Sequence, residues 1–202
     1  METSEDKRLQ IIKVALKRFA HFGISKTTMN EIADDSAISK ANIYYYFPDK
    51  FAVIAAVVEE LVKQYDVEIK NRLKESTSAL TSLQLIQLTK KDFFEKYYML
   101  HISEGFDAGA GNERLKSLSK TVNEYETSLI VTILEKGISN GELNDIDSAK
   151  TAQLYVEMLK GIILVNKHCS SQSITMDQQL LNKIHQKQLR LIEIFMKGLS
   201  KI

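Results

Sequence analysis

The scarcity of helix-breaking residues is the feature that most restricts the folds open to this chain. Among 202 residues there is one proline, Pro48, and there are eight glycines. Proline cannot continue a helix and glycine weakens one, whereas sheet proteins use both residues in their turns. No segment of useful length alternates apolar and polar residues with the period of a strand. The sequence therefore predicts an all-α fold.

An apolar stripe marks the first helix. Residues recur along it at steps of three and four, as one face of an amphipathic helix requires: Leu9, Ile12, Leu16, Phe19 and Ala20. Gly23 follows the stripe and is suited to the C-terminal end of a helix. We expect this helix to end at that glycine.

Two short helices are expected next. Thr28 and Glu31 have the spacing of a capping box, in which each side chain bonds to the backbone N–H of the other residue. The polar residues 34–36 would end this helix after about two turns. Ser39 is a suitable N-cap for the second short helix, which should end by Phe47 because Pro48 follows it.

The remainder of the chain also reads as helices. Asp49 can cap a longer fourth helix, whose apolar side would comprise Phe51, Ile54, Val57, Val58, Leu61 and Tyr65. Later helices are expected at about 80–105, 112–138, 147–168 and 176–199. An interruption of the second of these near Lys120 is left open, and residues 139–141 should form a turn.

Two short helices with a tight turn between them, flanked by longer helices, form a helix-turn-helix, whose second helix enters the major groove of DNA. Four apolar residues would face the core: Ile32, Ala33, Ile43 and Phe47. Four residues of the second helix would face outward: Lys40, Asn42, Tyr44 and Tyr45. Lys donates to guanine or phosphate, Asn pairs with adenine, and Tyr donates to phosphate or covers a thymine methyl group. Thr28 and Lys50 lie at helix starts, where phosphates bind.

Charge alone would not have indicated a nucleic-acid partner. The formal net charge is +1, and residues 1–50 carry eight Lys or Arg against seven Asp or Glu side chains. DNA-binding domains usually show a stronger positive balance. The prediction of DNA binding therefore depends on the pattern of residues.

That pattern resembles the DNA-binding domain of the tetracycline-repressor (TetR) family. The resemblance covers about the first 65 residues and is carried by Phe19-Ala20-x-x-Gly23, Thr27-Thr28-x-x-x-Ile32-Ala33 and Ser39-Lys40-x-Asn42-Ile43-Tyr44-Tyr45-Tyr46-Phe47-x-x-Lys50. It implies a DNA-binding domain at 1–50, with the helix-turn-helix at 28–47, and a helical effector-binding and dimerisation domain at 51–202. It also implies these DNA-contacting positions: Thr28, Ser39, Lys40, Ala41, Asn42, Tyr44, Tyr45, Tyr46 and Lys50.

Two positions depart from the family pattern. The family usually has glycine in the turn where this chain has Ala37, and often has glycine at the position of Ala41. A positive φ at an alanine would cost about 1 kcal/mol or more, so the turn is expected to avoid that conformation. The additional methyl group of Ala41 is expected to alter which bases are preferred.

The resemblance further implies that the last two helices form a dimer interface. Residues chosen for it from the apolar stripes are Ala152, Val156, Leu159, Ile163, Ile184, Leu191 and Phe195. Together, Ala152 and Gly161 would allow helices to approach closely. The alternative is that these stripes only close the core of one protomer.

Aromatic residues in the middle of the chain are candidates for a small-molecule pocket. The candidates are Phe93, Phe94, Tyr97, Tyr98, His101, Phe106 and Tyr125. Pockets for apolar ligands combine aromatic rings with a few polar groups, but an ordinary helical core does so as well. Both interpretations remain open from the sequence.

No catalytic, cofactor or metal site is predicted. The pair His101 and Glu104 has helical spacing, but no second pair completes a site, and Gly-rich phosphate loops and paired cysteines are absent. The single Cys169 and the lack of a secretory signal in residues 1–10 suit the cytoplasm. We expect a ligand-responsive repressor that binds a palindromic operator as a homodimer. The alternative is a helical ligand carrier or protein-interaction module without DNA binding.

Overall fold

The computed structural model describes residues 3–97, 113–169 and 178–201, and eight helices lie within them. In chain order these are α1 (Ser4–Phe22), α2 (Met29–Asp35), α3 (Lys40–Tyr46), α4 (Lys50–Leu73), α5 (Ala79–Lys96), α6 (Glu113–Ser139), α7 (Ser148–Cys169) and α8 (Gln178–Leu199). The described residues form no strand, and their extended pairing is limited to one isolated antiparallel bridge between Leu143 and Ser200. The all-α prediction is confirmed.

Local capping signals set most of the helix ends. Gly23, at φ 83°, ends α1 and donates its N–H to the Phe19 carbonyl at 2.9 Å. Asp49 accepts the N–H of Ala52 at 2.7 Å, and Asp147 accepts that of Lys150 at 3.0 Å, so each carboxylate satisfies a free N–H at the start of a helix. The interruption near Lys120, which the sequence left open, does not occur, because α6 is continuous.

The chain divides into two compact units. The first comprises Met1–Tyr65 and Lys96–Val122, and the second comprises Asp66–Glu95 and Asn123–Ile202. The first unit extends past residue 50, where the sequence placed a domain boundary. The reason is that Ala52–Val58, all buried, belong to the same apolar cluster as α1, α2 and α3.

The core of the first unit is built around α1 and the start of α4. The buried residues of α1 are Ile11, Ile12, Ala15 and Phe19. Only Ile12 and Phe19 belong to the stripe predicted from the sequence, so the buried face of the helix is rotated slightly from the predicted one. Ile32 and Ile43 are fully buried and fasten α2 and α3 to this core. Burial of such side chains contributes about 1.5–3 kcal/mol each, which fixes the two short helices in place.

The second unit contains a helical core and a tight chain crossing. Leu83, Ile86, Ile130 and Ala152 are fully buried in it. A Cβ on Gly137 would lie 2.8 Å from the Leu143 side chain, so a larger residue there would require that side chain to shift. No helix within the described residues is long and apolar enough to cross a membrane.

Candidate nucleic-acid interface

The start of α2 is fixed by the predicted capping box. Glu31 accepts the Thr28 N–H at 2.7 Å and the Thr28 hydroxyl at 2.8 Å, and the Glu31 N–H donates back to Thr28 Oγ1 at 3.3 Å. These hydrogen bonds from Thr28, first the backbone one, lower the pKa of the Glu31 carboxyl. The N-terminal end of α2 is therefore ordered before any ligand arrives.

The turn between α2 and α3 corrects one expectation. Ala37 has φ 53°, in the left-handed region, although the sequence suggested that the turn would avoid it. The turn is held there because the Ala37 N–H donates to Asp34 O at 3.0 Å and the Ile38 N–H to Ala33 O at 3.1 Å. Ala37 thus has the conformation that glycine adopts without steric cost, and it accepts a strain of about 1 kcal/mol.

Helix α3 begins at the predicted N-cap and presents one broad face to solvent. Ser39 Oγ accepts the Asn42 N–H at 3.2 Å. Ile43 and Phe47 are buried, as predicted, and the side chains that face solvent are Lys40, Ala41, Asn42, Tyr44 and Tyr45. We call these five residues the exposed face of α3. Ala41 and Tyr45 lie one turn apart at the centre of this face. Around the helix, Lys40 and Tyr44 lie on one side of them and Asn42 lies on the other.

The three tyrosines of α3 have different environments. Tyr45 is 79% exposed and Tyr44 is 45% exposed. Tyr46 is half-buried and packs against the core, and its ring meets that of Tyr45 edge-on with centroids 5.2 Å apart. Tyr46 therefore supports Tyr45, while Tyr44 and Tyr45 are free to meet a ligand.

Lys50, the first residue of α4, lies near the start of α2. Its ammonium group donates to Ser25 O at 3.4 Å. Burial lowers the pKa of Lys50, and the Glu31 carboxylate opposes that shift. Lys50 is thus held beside the α2 N-terminus, the place at which the sequence predicted a phosphate contact.

Arg18 is a contributor that the sequence analysis missed. Its guanidinium bonds to Asp35 at 2.7 Å and to Glu31 at 3.0 Å, and it lies 5.0 Å from the centre of the Phe22 ring. Its side chain is 16% exposed. Arg18 neutralises two carboxylates on α2 that would otherwise repel phosphate. The only sequence signal was a cation near the apolar stripe of α1, which does not identify partners on another helix.

The described aromatic candidates for a pocket belong to both units. Phe94 is 49% exposed, and Tyr97, in the first unit, donates to Gln64 at 3.0 Å. In the second unit, Tyr125 donates to Asp66, and Phe93 is half-buried. Phe94 thus lies largely in solvent, and Tyr97 belongs to the first unit. Tyr98, His101 and Phe106 lie outside the described residues, as does Glu104.

The residues chosen for a dimer interface are mostly internal to the second unit. Ala152, Val156, Leu159 and Ile184 are all at most 5% exposed within one protomer. Phe195 packs on Tyr155 with ring centroids 5.4 Å apart, and Ile163 and Leu191 are half-buried. The first four side chains leave little surface for a partner to cover. The exposed apolar residues of α7 and α8 are instead Leu154, Leu164, Val165 and Ile194.

Metal binding finds no support in the described ranges 3–97, 113–169 and 178–201, where no three His, Cys, Asp or Glu side chains are grouped to hold an ion. The polar groups of the first unit are arranged as helix caps and surface contacts.

Comparisons with known proteins agree with this geometry. Residues 11–57 match the family described as bacterial regulatory proteins, tetR family. The regulator RutR of Escherichia coli is 38% identical over 56 residues, which are 28% of this chain and 26% of RutR. The fatty acid metabolism regulator protein of Bacillus subtilis is 22% identical over 145 residues, which are 72% of this chain and 75% of that protein.

The likeness extends to solved structures over most of the chain. A transcriptional regulator from Cytophaga hutchinsonii superimposes with a TM-score of 0.82 at 25% identity, and the match covers 95% of this chain and 97% of that one. The family match includes α2, α3 and the start of α4, where the helix-turn-helix lies. Residues 11–57 therefore match the DNA-binding region of the tetR family, and the protein is a DNA-binding transcriptional regulator.

Proposed function

We propose that the protein is a repressor that binds a palindromic operator as a homodimer and is released from it by a small-molecule effector. The observation that carries the DNA-reading part is the exposed face of α3. Asn42 and Lys40 offer hydrogen bonds to base edges there, and Tyr44 and Tyr45 offer rings and hydroxyls. Because Ala41 is at the centre of this face, its methyl group would lie against a base and favour an apolar contact such as a thymine methyl group.

Phosphate contacts would position this face. Thr28 at the α2 N-terminus, Ser39 at the α3 N-terminus and Lys50 at the α4 N-terminus are the expected partners. Few cations participate, since the first 50 residues are nearly neutral. We therefore expect a modest dependence of operator affinity on salt, corresponding to only a few released counterions per protomer.

Pairing of α7 and α8 with a second copy would provide the dimer. On α7, Leu154, Met158, Gly161 and Val165 share one face, opposite to the face that holds the buried residues. On α8, Leu191, Ile194 and Gly198 share another. A Cβ added to Gly161 or to Gly198 would meet nothing within 4 Å, so both glycines border open space and would let a partner helix approach closely.

A twofold dimer of this kind would present two copies of α3 and would match an operator with two inverted half-sites. The effector would bind in the second unit. Thermodynamic linkage requires it to prefer the conformation that does not fit the operator, and DNA must weaken effector binding by the same factor. Helix α4 contributes residues to both units and is a direct covalent connection between them.

Selection from a random pool of DNA duplexes tests the proposal. Wild-type protein should enrich an inverted repeat, and Tyr45→Ala should enrich it less strongly while keeping its fold and oligomeric state. Addition of an effector should then release the protein from the enriched duplex. Failure to enrich any duplex would contradict operator binding and favour the alternative of a helical ligand carrier or interaction module. Enrichment of a single half-site without repeat would contradict the palindromic operator.

A further inference from the structure

A polar cluster lies inside the second unit, among α5, α6 and α7. Its members are Gln87 and Lys90 on α5, Asn123 and Glu126 on α6, and Tyr155 and Lys160 on α7. Lys90 bonds to Glu126, and Lys160 bonds to Asn123 Oδ1 at 2.8 Å. Asn123 and Glu126 are one turn apart on α6, so the two lysines approach neighbouring positions of the same helix.

Two members of the cluster are buried donors that lack acceptors. Gln87 is 2% exposed and Tyr155 is fully buried. Gln87 lies close enough to the Tyr155 hydroxyl to affect its pKa, but neither the Gln87 amide nitrogen nor that hydroxyl makes a hydrogen bond of good geometry. Leaving a buried donor unsatisfied costs about 1–3 kcal/mol, so two together indicate that an acceptor is missing.

The charges of the cluster indicate what kind of acceptor is missing. Lys90 is neutralised by Glu126, whose side chain is 16% exposed. Lys160 pairs with an amide oxygen, and in the described part of the chain it makes no ion pair. Lys160 thus brings a positive charge that, among the described residues, no carboxylate pairs with. An anion would balance it, whereas a cation or a neutral molecule would not.

The surroundings restrict the rest of the ligand. Leu83, Ile86 and Ile130 lie on the same helices, α5 and α6, and are fully buried. Burial, with a smaller contribution from Glu126, raises the pKa of Tyr155, so its hydroxyl stays protonated and is a donor at any physiological pH. A group that accepts from the Gln87 amide and the Tyr155 hydroxyl while pairing with lysine has the chemistry of a carboxylate.

We propose that Gln87, Tyr155 and Lys160 bind the carboxylate of a small, mainly apolar organic acid. The Lys90–Glu126 ion pair, which has no net charge, would border this site. This assignment rests on the proposed effector function and names the chemical class of the effector.

Calorimetry on the full-length protein without DNA tests the assignment. The probes are straight-chain carboxylates from butanoate to dodecanoate, each with the alcohol and the alkylammonium ion of equal length. We expect saturable binding of at least one carboxylate, with its matched alcohol and ammonium ion about tenfold or more weaker. Absence of saturable binding by every carboxylate, or equal binding of the matched alcohol, would overturn the assignment.

Substitutions separate binding from folding. Gln87→Leu should keep or raise the thermal midpoint of the free protein, because it removes an unsatisfied buried amide, and should still lose about tenfold or more in carboxylate affinity. Lys160→Met should lose as much, and Lys160→Arg should retain most of the affinity. The matched control is Lys150→Met, on the same helix with a side chain 86% exposed, which should bind as wild type.

Glu126→Gln tests the charge argument most directly. It removes the negative charge and should tighten carboxylate binding about threefold or more, which a merely structural role of Glu126 would not produce. Unchanged or weaker binding in this variant would overturn the charge argument. A carboxylate that binds as expected but leaves the operator complex intact would support this site and contradict the proposed release mechanism, so the two failures are distinguishable.

Discussion

The Arg18 guanidinium donates to the Asp35 carboxylate at 2.7 Å, and this contact joins α1 to the last residue of α2. The same guanidinium reaches Glu31 in the first turn of α2. One cation thus spans both ends of the helix that precedes α3, and it does so from a side chain that is only 16% exposed.

Arg18→Met should loosen α2 and weaken DNA binding. The two carboxylates are 42% and 47% exposed, so solvent screens each pair, and we expect a loss of about 1–2 kcal/mol in the free energy of unfolding. Operator affinity should fall further, because Glu31 and Asp35 would then repel phosphate. Urea denaturation and a DNA titration measure the two effects. Lys17→Met, exposed on the same helix, is the control, and equal behaviour of both variants would contradict the bridging role.

Ala37→Gly should stabilise the protein. Alanine at φ 53° carries steric strain that glycine lacks, although glycine adds freedom to the unfolded chain. We expect a net gain of about 0.5–1 kcal/mol in the free energy of unfolding. Ala37→Val should be destabilised, since a β-branched residue is poorly accommodated in this region. A stability loss in Ala37→Gly, measured by thermal or urea denaturation, would show that the turn is not strained.

Tyr45→Ala should separate DNA binding from stability. Tyr45 is 79% exposed, so the free energy of unfolding should change by less than about 0.5 kcal/mol. Specific operator affinity should decrease by about 1–3 kcal/mol, with nonspecific affinity nearly unchanged. Phe94→Ala, an aromatic side chain 49% exposed in the second unit, should leave both affinities unchanged. Wild-type operator affinity in Tyr45→Ala would remove this residue from the reading surface.

Ile194→Asp should yield a folded monomer. Ile194 is 57% exposed within one protomer, so its replacement does not disturb the core, but it would place a charge in the proposed dimer interface. Sedimentation velocity would report the change in mass. Leu88→Asp, on α5 with 41% exposure, is the matched control and should remain dimeric. A dimer in both variants would mean that α8 does not contribute this surface.

His185 should make stability depend on pH in the weakly acidic range. Burial and, to a lesser extent, Lys91 lower the pKa of His185 from its ordinary value of 6.5, while Asp92 and Glu95 act in the opposite direction. The folded state therefore favours the neutral imidazole. As the pH falls below about 6.5 the unfolded chain takes up the proton first, and stability decreases until the folded pKa is reached.

His185→Gln should flatten this part of the stability curve, which thermal unfolding between pH 5 and 8, about the range in which an ordinary histidine titrates, would show. His21→Gln, at an exposed position on α1, serves as the control and should preserve the wild-type slope. If the slope survives in His185→Gln, another group causes it.

The amino-acid sequence by itself determined the helices of the DNA-binding region. Thr28 with Glu31, Ser39 and Asp49 cap helices through bonds to N–H groups three residues away, so the information is local. The inward position of Ile43 and Phe47 follows equally from their spacing. The exposure of Tyr44 and Tyr45 then follows from the geometry of a helix anchored on those two residues.

The tertiary structure decided what depends on residues far apart in the chain. Ala37 enters the left-handed region because packing of α2 and α3 fixes the path between them, and this outweighs a local preference of about 1 kcal/mol. Arg18 finds its partners 13 and 17 residues later in the sequence, on another helix. An apolar stripe shows that one face of α7 is buried, but only packing shows that Ala152 and Val156 are covered within the protomer and that Leu154 and Val165 are exposed.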